Sequence, residues 1–314
     1  MKVRKNISLA PLSTFRIGGR ADFFCLVKEP TDLFEAVEFA RNKKIPYRIL
    51  AGGSNIVFPD GRFKGLLIKI SDGGIVKDKN RLIVGAGVAL EEVIKKSISA
   101  GLKGLETLSG IPGTLGGAIV GNAGAYGHSI SEVVERVKVW DPVGGQNLSK
   151  GAGSKGFFWI SKKDCKFRYR ESVFKHKPYI VVCAVLKFKN GNSKNLRKIS
   201  RDIIKLRLKK YKPGLRCPGS FFKNVLVSEV SKKSLLKINK SKIIEGKIPA
   251  GYLLEEVGAK GMRVGGIEIA NFHGNLLINR GGARAADVRK LAALLKKRVF
   301  EKFGIRLEEE IRYF

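Results

Sequence analysis

The chain has 314 residues, with 61 Lys and Arg against 27 Asp and Glu, and a formal charge of +34 at pH 7. Its 44% hydrophobic content is enough to bury a sizeable core, which excludes a disordered polyelectrolyte, and the length predicts about two domains. So positive a surface attracts phosphate, which leaves nucleic acid, an anionic membrane and a small phosphorylated substrate as open partner classes.

The amino terminus passes from Met1-Lys-Val-Arg-Lys-Asn into polar and turn-forming residues, without the apolar run of a secretory signal. A cytoplasmic chain is the expectation. Pro30, a capping-box spacing of Asp32 and Glu35, and the apolar Leu33, Val37 and Ala40 predict a helix that ends before Pro46. Leu66–Ile70 and Leu82–Val84 read as short strands, and Leu90–Ala100 as a helix with Val93 and Ile94 on its apolar face and Gly101 at its stop. Tyr179–Leu186 is a further strand. From Asn195 to Tyr211 a basic helix carries Leu196, Ile199, Ile203 and Leu206 on one side and stops before Pro213. It reads as the entry to a second domain. Ala286–Phe303 is a strong helix through Val288, Leu291, Leu295 and Val299, ended by Gly304. The period then changes to two: Ile305, Leu307, Ile311 and Tyr313 share one face of a terminal strand, and Glu308, Glu310 and Arg312 the other.

Cys25, Cys165, Cys183 and Cys217 form no CxxC pair and the three histidines do not cluster, so neither a metal site nor a disulfide framework is expected. Thr107–Ser131 carries no charged residue and is long enough to span a bilayer, yet its seven glycines and Pro112 make it a loop system. Two glycine-rich stretches stand out. Ile49–Asn55 follows a strand and ends in Gly52-Gly-Ser-Asn55, where backbone N–H groups could approach an anion closely. Gly104–Gly127 is too long for a turn and too apolar for a disordered linker, which points to function. Gly85-Ala-Gly87-Val-Ala-Leu90 fails as a dinucleotide fingerprint because Leu90 stands at the third glycine, and there is no GxxxxGK[ST] loop.

Seven ordered blocks carry a more specific signal. They are Ser13-Thr-Phe-Arg-Ile-Gly-Gly-Arg-Ala-Asp22, Gly52-Gly-Ser-Asn55, Gly110-Ile-Pro-Gly-Thr-Leu-Gly-Gly-Ala118, Asn122-Ala-Gly-Ala-Tyr-Gly127, Phe167-Arg-Tyr-Arg-Glu-Ser172, Gly219-Ser-Phe-Phe-Lys-Asn224 and Leu307-Glu-Glu-Glu-Ile-Arg312. With them the chain resembles the UDP-N-acetylenolpyruvoylglucosamine reductase (UDP-N-acetylmuramate dehydrogenase) family over its full length. The resemblance implies an α+β flavoprotein. Its FAD-binding module, of the vanillyl-alcohol-oxidase/PCMH type, would span residues 1–190 in lobes of about 1–72 and 73–190, and a smaller α+β substrate-binding domain 191–314. It further implies NADPH-dependent reduction of UDP-N-acetylglucosamine enolpyruvate via FAD, in peptidoglycan precursor synthesis, by a monomer with no specific nucleic-acid or membrane partner.

Carried over residue by residue, the resemblance gives catalytic roles to Arg170, Ser220 and Glu310. Hydride would pass from flavin N5 to C3 of the enolpyruvyl group, and Ser220 would protonate C2. Arg170 and a protonated Glu310 would stabilise the charge that builds up beside the carboxylate. FAD contacts fall on Gly52, Gly53, Ser54, Asn55, Pro112, Gly113, Thr114, Gly116, Gly117, Ala118 and Asn122, and substrate contacts on Tyr169, Lys210, Asn224 and His273. Ala51 and Arg168 stand where the family often has glycine. About 50 residues separate Arg170 from Ser220, too few for the inserted loop with a substrate-covering tyrosine, so the shorter branch is expected. Two other readings remain: a flavin oxidase or dehydrogenase of another substrate, against which the Ser220 and Glu310 blocks argue, and a nucleic-acid binder. For the latter, residues 194–247 hold 17 Lys and Arg against 3 Asp and Glu, but no interleaved aromatics or standard motif.

Overall fold

The computed structural model describes residues 1–71, 73–143 and 156–314; the lobe boundary expected at residue 72 lies outside them. The chain divides into two compact units. The first comprises Met1–Ile7, Ala21–Gly52 and Lys64–Arg207, and the second Ser8–Arg20, Gly53–Phe63 and Leu208–Phe314.

In the first unit, a sheet with the strand order Val3–Ser8, Arg20–Val27, Arg62–Ile70, Tyr47–Leu50 is covered by helix α1, Pro30–Asn42. Its last two strands run parallel, with Tyr47 opposite Leu66 and Leu50 opposite Lys69. Leu33, Ala36, Val37 and Ala40 of α1 bury against Cys25, Leu66 and Ile68. The helix begins two residues before the expected start. Glu29 is the N-cap, Pro30 opens the first turn, and Asp32 serves at the third position by accepting the N–H groups of Lys28 and Glu29 at 3.0 and 3.4 Å.

An antiparallel sheet, ordered Phe157–Ser161, Val134–Trp140, Ile180–Lys187, Arg81–Gly85, Ile75–Asp78, builds the other core of this unit. Helices α2, Leu90–Ser99, and α3, Leu115–Gly121, pack into that core. The stretch expected to be loop throughout therefore contains a helix. Glycine costs helix roughly 0.5–1 kcal/mol per residue relative to alanine, which hides α3 in the sequence. Packing offsets this, because a Cβ on Gly116 would stand 2.9 Å from the Ala86 Cβ.

Helix α4, Ser193–Lys210, closes the first unit through Arg207. Its buried positions are Leu196, Ser200 and Ile203, whereas Ile199 is 39% and Leu206 46% exposed. This corrects the expected apolar face. Ser200 sits at the i+4 position because its hydroxyl pairs with that of Ser109 at 2.8 Å, and Arg207 Nε donates to the Gly110 carbonyl at 3.1 Å.

The second unit contains the short helices α5, Lys232–Leu235, and α6, Ala250–Glu256, and the long helix α7, Ala285–Phe303. A small antiparallel sheet, Arg263–Val264, Ile267–Ile269, Leu277–Asn279, shares their core. Val288, Leu291, Leu295 and Val299 are fully buried, and Gly304 ends α7 at φ +70°. The terminal segment alternates as expected in burial at Ile305, Leu307 and Ile311, with Tyr313 half-buried. As a hydrogen-bonded strand it is only Arg312–Tyr313, parallel to Ile56–Val57.

Residues 53–63 are tied to this unit by more than that pair. Asp60 accepts the N–H groups of Ala285 and Ala286 at 2.6 and 3.0 Å, capping α7 from 225 residues away. Replacing Asp60 with alanine is expected to lower stability by about 1–2 kcal/mol. A reduced urea midpoint for the second unit checks this, with Asp60→Asn losing less because one acceptor remains. Among the described residues no helix is long and apolar enough to cross a membrane, and no group of three or more His, Cys, Asp or Glu is placed to hold a metal ion. The cysteines are free thiols; burial pushes Cys25 and Cys165 up to about 12.

Candidate active site

In the first unit the two glycine stretches meet backbone to backbone. A Cβ on Gly52 would lie 2.7 Å from Gly113 Cα and 3.3 Å from the Thr114 nitrogen. Gly113 has φ +120°, open only to glycine at low cost. Around this contact Leu90 N–H donates to the Gly113 carbonyl at 3.0 Å, Leu115 N–H to Val88 at 2.9 Å and Gly116 N–H to Ala86 at 2.8 Å. Thr114 Oγ1 accepts from Gly117 N–H at 3.4 Å. A Cβ on Gly117 would meet the Ala51 Cβ at 3.3 Å, so the alanine at 51 is accommodated by the absence of a side chain at 117. Loops packed without side chains present peptide groups to an incoming ligand, the chemistry that holds a pyrophosphate. These residues fit a flavin dinucleotide.

Asn122 follows α3 in the left-handed region, at φ 41°, and is buried. Its Nδ2 donates to the Arg168 carbonyl at 2.8 Å and its Oδ1 accepts from Ser131 N–H at 3.3 Å. The side chain thus anchors a tight hairpin in which Arg168 and Glu171 exchange both backbone hydrogen bonds at 3.1 Å. At the hairpin's tip Arg170 adopts φ +53°, a costly conformation for a residue other than glycine. Arg168, despite replacing a glycine, is not among the positive-φ residues. The Arg170 guanidinium lies 5.4 Å from the centre of the Tyr169 ring, and its Nη2 donates to the Gly124 carbonyl at 2.8 Å. Lys175 Nζ donates to the Arg170 carbonyl at 2.5 Å. These partners hold the strained backbone at Arg170 in place.

The second unit brings Ser220 and Glu310 onto neighbouring backbones. Gly219 turns the chain at φ +86°, Phe221 and Phe222 are buried in one core, and Phe222 forms an antiparallel bridge with Glu309. Glu310 N–H donates to the Phe221 carbonyl at 2.8 Å, and Asn55 Nδ2 donates to the Glu310 carbonyl at 3.0 Å. Buried Asn275 accepts from Phe222 N–H and donates to the Phe222 carbonyl, both at 2.8 Å, which fixes the Ser220 turn from behind. The flanking acids are committed elsewhere: Glu308 to Lys223 at 2.9 Å and Glu309 to Lys296 at 2.5 Å. Gly53, at φ +67°, sits against the Leu12 carbonyl, which a Cβ would meet at 2.0 Å.

Of the expected substrate residues, Lys210 and His273 are electrostatic neighbours. Burial first, and then the Lys210 charge, holds the His273 imidazole below its usual range, which favours the neutral ring at pH 7. Its Nδ1 accepts from Asn275 N–H at 3.1 Å, so Nε2 carries the proton. Asn224 Oδ1 accepts from Ala250 N–H at 3.1 Å. Two neighbours of Ser220 escaped the sequence reading. Asn275 supports the turn, and Tyr211 places its hydroxyl 2.9 Å from the Ser220 Oγ. Neither carries a motif, since an isolated Asn or Tyr in a polar stretch has no periodic signature.

The sequence profile described as UDP-N-acetylenolpyruvoylglucosamine reductase, C-terminal domain, matches residues 210–314, and that of an FAD binding domain matches residues 21–147. A UDP-N-acetylenolpyruvoylglucosamine reductase of Solibacter usitatus is 40% identical over 314 residues, spanning 100% of this chain and 97% of the relative. One from Prochlorococcus marinus is 35% identical, with 99% and 98% covered. The crystal structure of UDP-N-acetylenolpyruvylglucosamine reductase from Thermus caldophilus superposes with a TM-score of 0.75 at 29% identity, covering 100% of this chain and 99% of the other.

Proposed function

The chain belongs to the UDP-N-acetylenolpyruvoylglucosamine reductase family of FAD-dependent oxidoreductases in peptidoglycan synthesis, and we propose that it works as a cytoplasmic monomer that uses NADPH to convert UDP-N-acetylglucosamine enolpyruvate to UDP-N-acetylmuramate. FAD, when bound, would supply the hydride chemistry that links NADPH to C3 of the enolpyruvyl group. Gly52, Gly53, Ser54 and Asn55, with Pro112, Gly113, Thr114, Gly116, Gly117 and Ala118, would hold that cofactor mainly through peptide groups. Asn122 contributes through the hairpin it anchors.

Addition of hydride at C3 of the enolpyruvyl group would leave negative charge at C2, delocalised into the adjoining carboxylate. The planar guanidinium fork of Arg170 suits the carboxylate, and the Tyr169 ring beside it restricts that guanidinium. Ser220 delivers a proton to C2. An alcohol is a weak acid, but a carbon anion is basic enough to take its proton. Glu310, in its protonated form, shares a proton with the developing enolate oxygen. Lys210 supplies charge, and His273 Nε2 and Asn224 supply hydrogen bonds, to the diphosphate of the UDP group.

The observation that supports this reading most is that Ser220 and Glu310, 90 positions apart, lie on neighbouring backbones joined by the Glu310 N–H to Phe221 carbonyl bond of 2.8 Å. The test is direct. The purified protein is expected to be yellow, or to become so with added FAD, and to oxidise NADPH only when the enolpyruvyl substrate is present. A colourless protein that takes up no FAD would sink the reading. A yellow protein that ignores the enolpyruvyl substrate would make it a flavoenzyme of another specificity.

A further inference from the structure

Once Ser220 has given up its proton, it is an alkoxide in a partly enclosed turn and must be reprotonated before it can act again. Tyr211 is placed to do this. Its hydroxyl stands 2.9 Å from the Ser220 Oγ, within the range of an O–H to O hydrogen bond. The pair does not owe its geometry to that bond alone. The Tyr211 ring packs on the cluster of Cys217, Ala270, Leu276 and Ile278, directly after the last turn of α4. Ser220 is set independently, by the Gly219 turn and by the bonds of Phe222 to Asn275. Both groups lie in the second unit.

From this arrangement we propose that Tyr211 is the positioning residue and proton relay of Ser220. Resting on the reading of Ser220 as proton donor, the step balances as follows. The Ser220 O–H bond breaks as the C2–H bond forms. The Tyr211 O–H bond breaks as the Ser220 O–H bond is restored, and the single negative charge ends on the phenolate, which takes a proton from water. No electrons leave the substrate, because the hydride already added at C3 is the only reductant. The relay lowers the barrier because a phenol, of ordinary pKa about 10, is a far stronger acid than an aliphatic alcohol. The charge left behind is then delocalised over a ring. Before the step the Tyr211 hydrogen must point to Ser220, so that the Ser220 hydrogen is directed at the substrate carbon, and a hydroxyl turns freely enough to adopt that sense.

The test uses the FAD-loaded enzyme and two variants, Tyr211→Phe and Ser220→Ala. Each is reduced with NADPH, then mixed with UDP-N-acetylglucosamine enolpyruvate in a series of water and deuterium oxide mixtures, while flavin reoxidation is followed. Tyr211→Phe keeps the ring and its packing. It is expected to leave flavin reduction unchanged and to slow reoxidation by about ten- to a hundredfold, less than Ser220→Ala, within the usual reach of proton-transfer catalysis. The dependence of the reoxidation rate on deuterium fraction should be curved in the parent enzyme, with two protons in motion, and linear in Tyr211→Phe. Reoxidation at the parent rate, or slowed with its curvature intact, overturns the relay while leaving Ser220 as donor, provided that Ser220→Ala is slow. If Ser220→Ala reoxidises normally, the donor assignment falls first and the relay with it.

Discussion

Replacing Ser220 with alanine is expected to leave NADPH reduction of the bound flavin at the parent rate and to slow the second half-reaction, with the enolpyruvyl substrate, by about 10²–10⁴-fold. The substitution removes one oxygen and its bond to the Tyr211 hydroxyl, but leaves the other contacts of the turn in place. Gly219 keeps its φ of +86°, Phe221 and Phe222 stay buried, and Asn275 still grips Phe222 through both of its amide atoms. Flavin reduction needs no proton from a serine, whereas saturation of an enol ether needs one at C2. Stopped-flow absorbance resolves the two halves. Equal loss in both would mean that Ser220 supports the fold or the cofactor and is not the donor, and a fast second half would mean that the proton comes from elsewhere.

Replacing Gly52 with alanine is expected to yield protein that folds but is isolated largely without flavin, with affinity for added FAD reduced by at least about tenfold. The methyl group would enter at 2.7 Å from Gly113 Cα, with the Gly113 carbonyl carbon at 3.2 Å and the Thr114 nitrogen at 3.3 Å. All three are backbone atoms, so no side chain can rotate away. The loops must part, and overpacking of this kind costs about 1–3 kcal/mol, while 1.4 kcal/mol is a factor of ten in binding. The hydrophobic cores lie in the sheets and helices, so the loss should show in the flavin absorbance and in an FAD titration before it shows in the thermal midpoint. Gly121, where a Cβ meets nothing within 4 Å, is the control. Equal flavin loss there would mean that an added methyl group in this glycine-rich region is enough by itself, and that the meeting of the two loops is not the cause.

How far the sequence could be read depended on the range of the forces involved. Helix α2 ends one residue short of its expected limit and α7 begins one residue before its own, because their apolar stripes, and the glycines that stop them, are local features. In α4 the stripe misled. Leu196, Ser200 and Ile203 hold the buried face, a serine being drawn inside by its bond to Ser109, which no periodicity reveals. Helix α3 was invisible because its glycines look like a loop until Ala86 is seen to leave no room for a side chain at Gly116.

The candidate site divides along the same line. Arg170, Ser220 and Glu310 were legible only through ordered motif blocks, since an arginine, a serine and a glutamate in so charged a chain carry no signal of their own. The backbone contact of Gly52 with Gly113, the support of the Arg170 hairpin by Asn122, and the approach of Tyr211 to Ser220 belong to tertiary structure. None follows from spacing.

The +34 charge was likewise a sequence property that narrowed less than it promised. UDP sugars, FAD and NADPH are all anions, so a positive surface aids their capture, but it does so without choosing among them. What the sequence determined by itself was the α+β class and the family, because these reside in local pattern and in motif order. What only the tertiary structure decided was how the chain is shared between units. Residues 8–20 and 53–63 join the carboxy-terminal unit, since Asp60 caps α7, Ile56–Val57 pairs with Arg312–Tyr313, and the Gly19 N–H bonds the Pro59 carbonyl at 2.8 Å. Partners brought together across more than 200 residues leave no mark on local composition, because what selects them is the burial and hydrogen bonding of the folded chain as a whole.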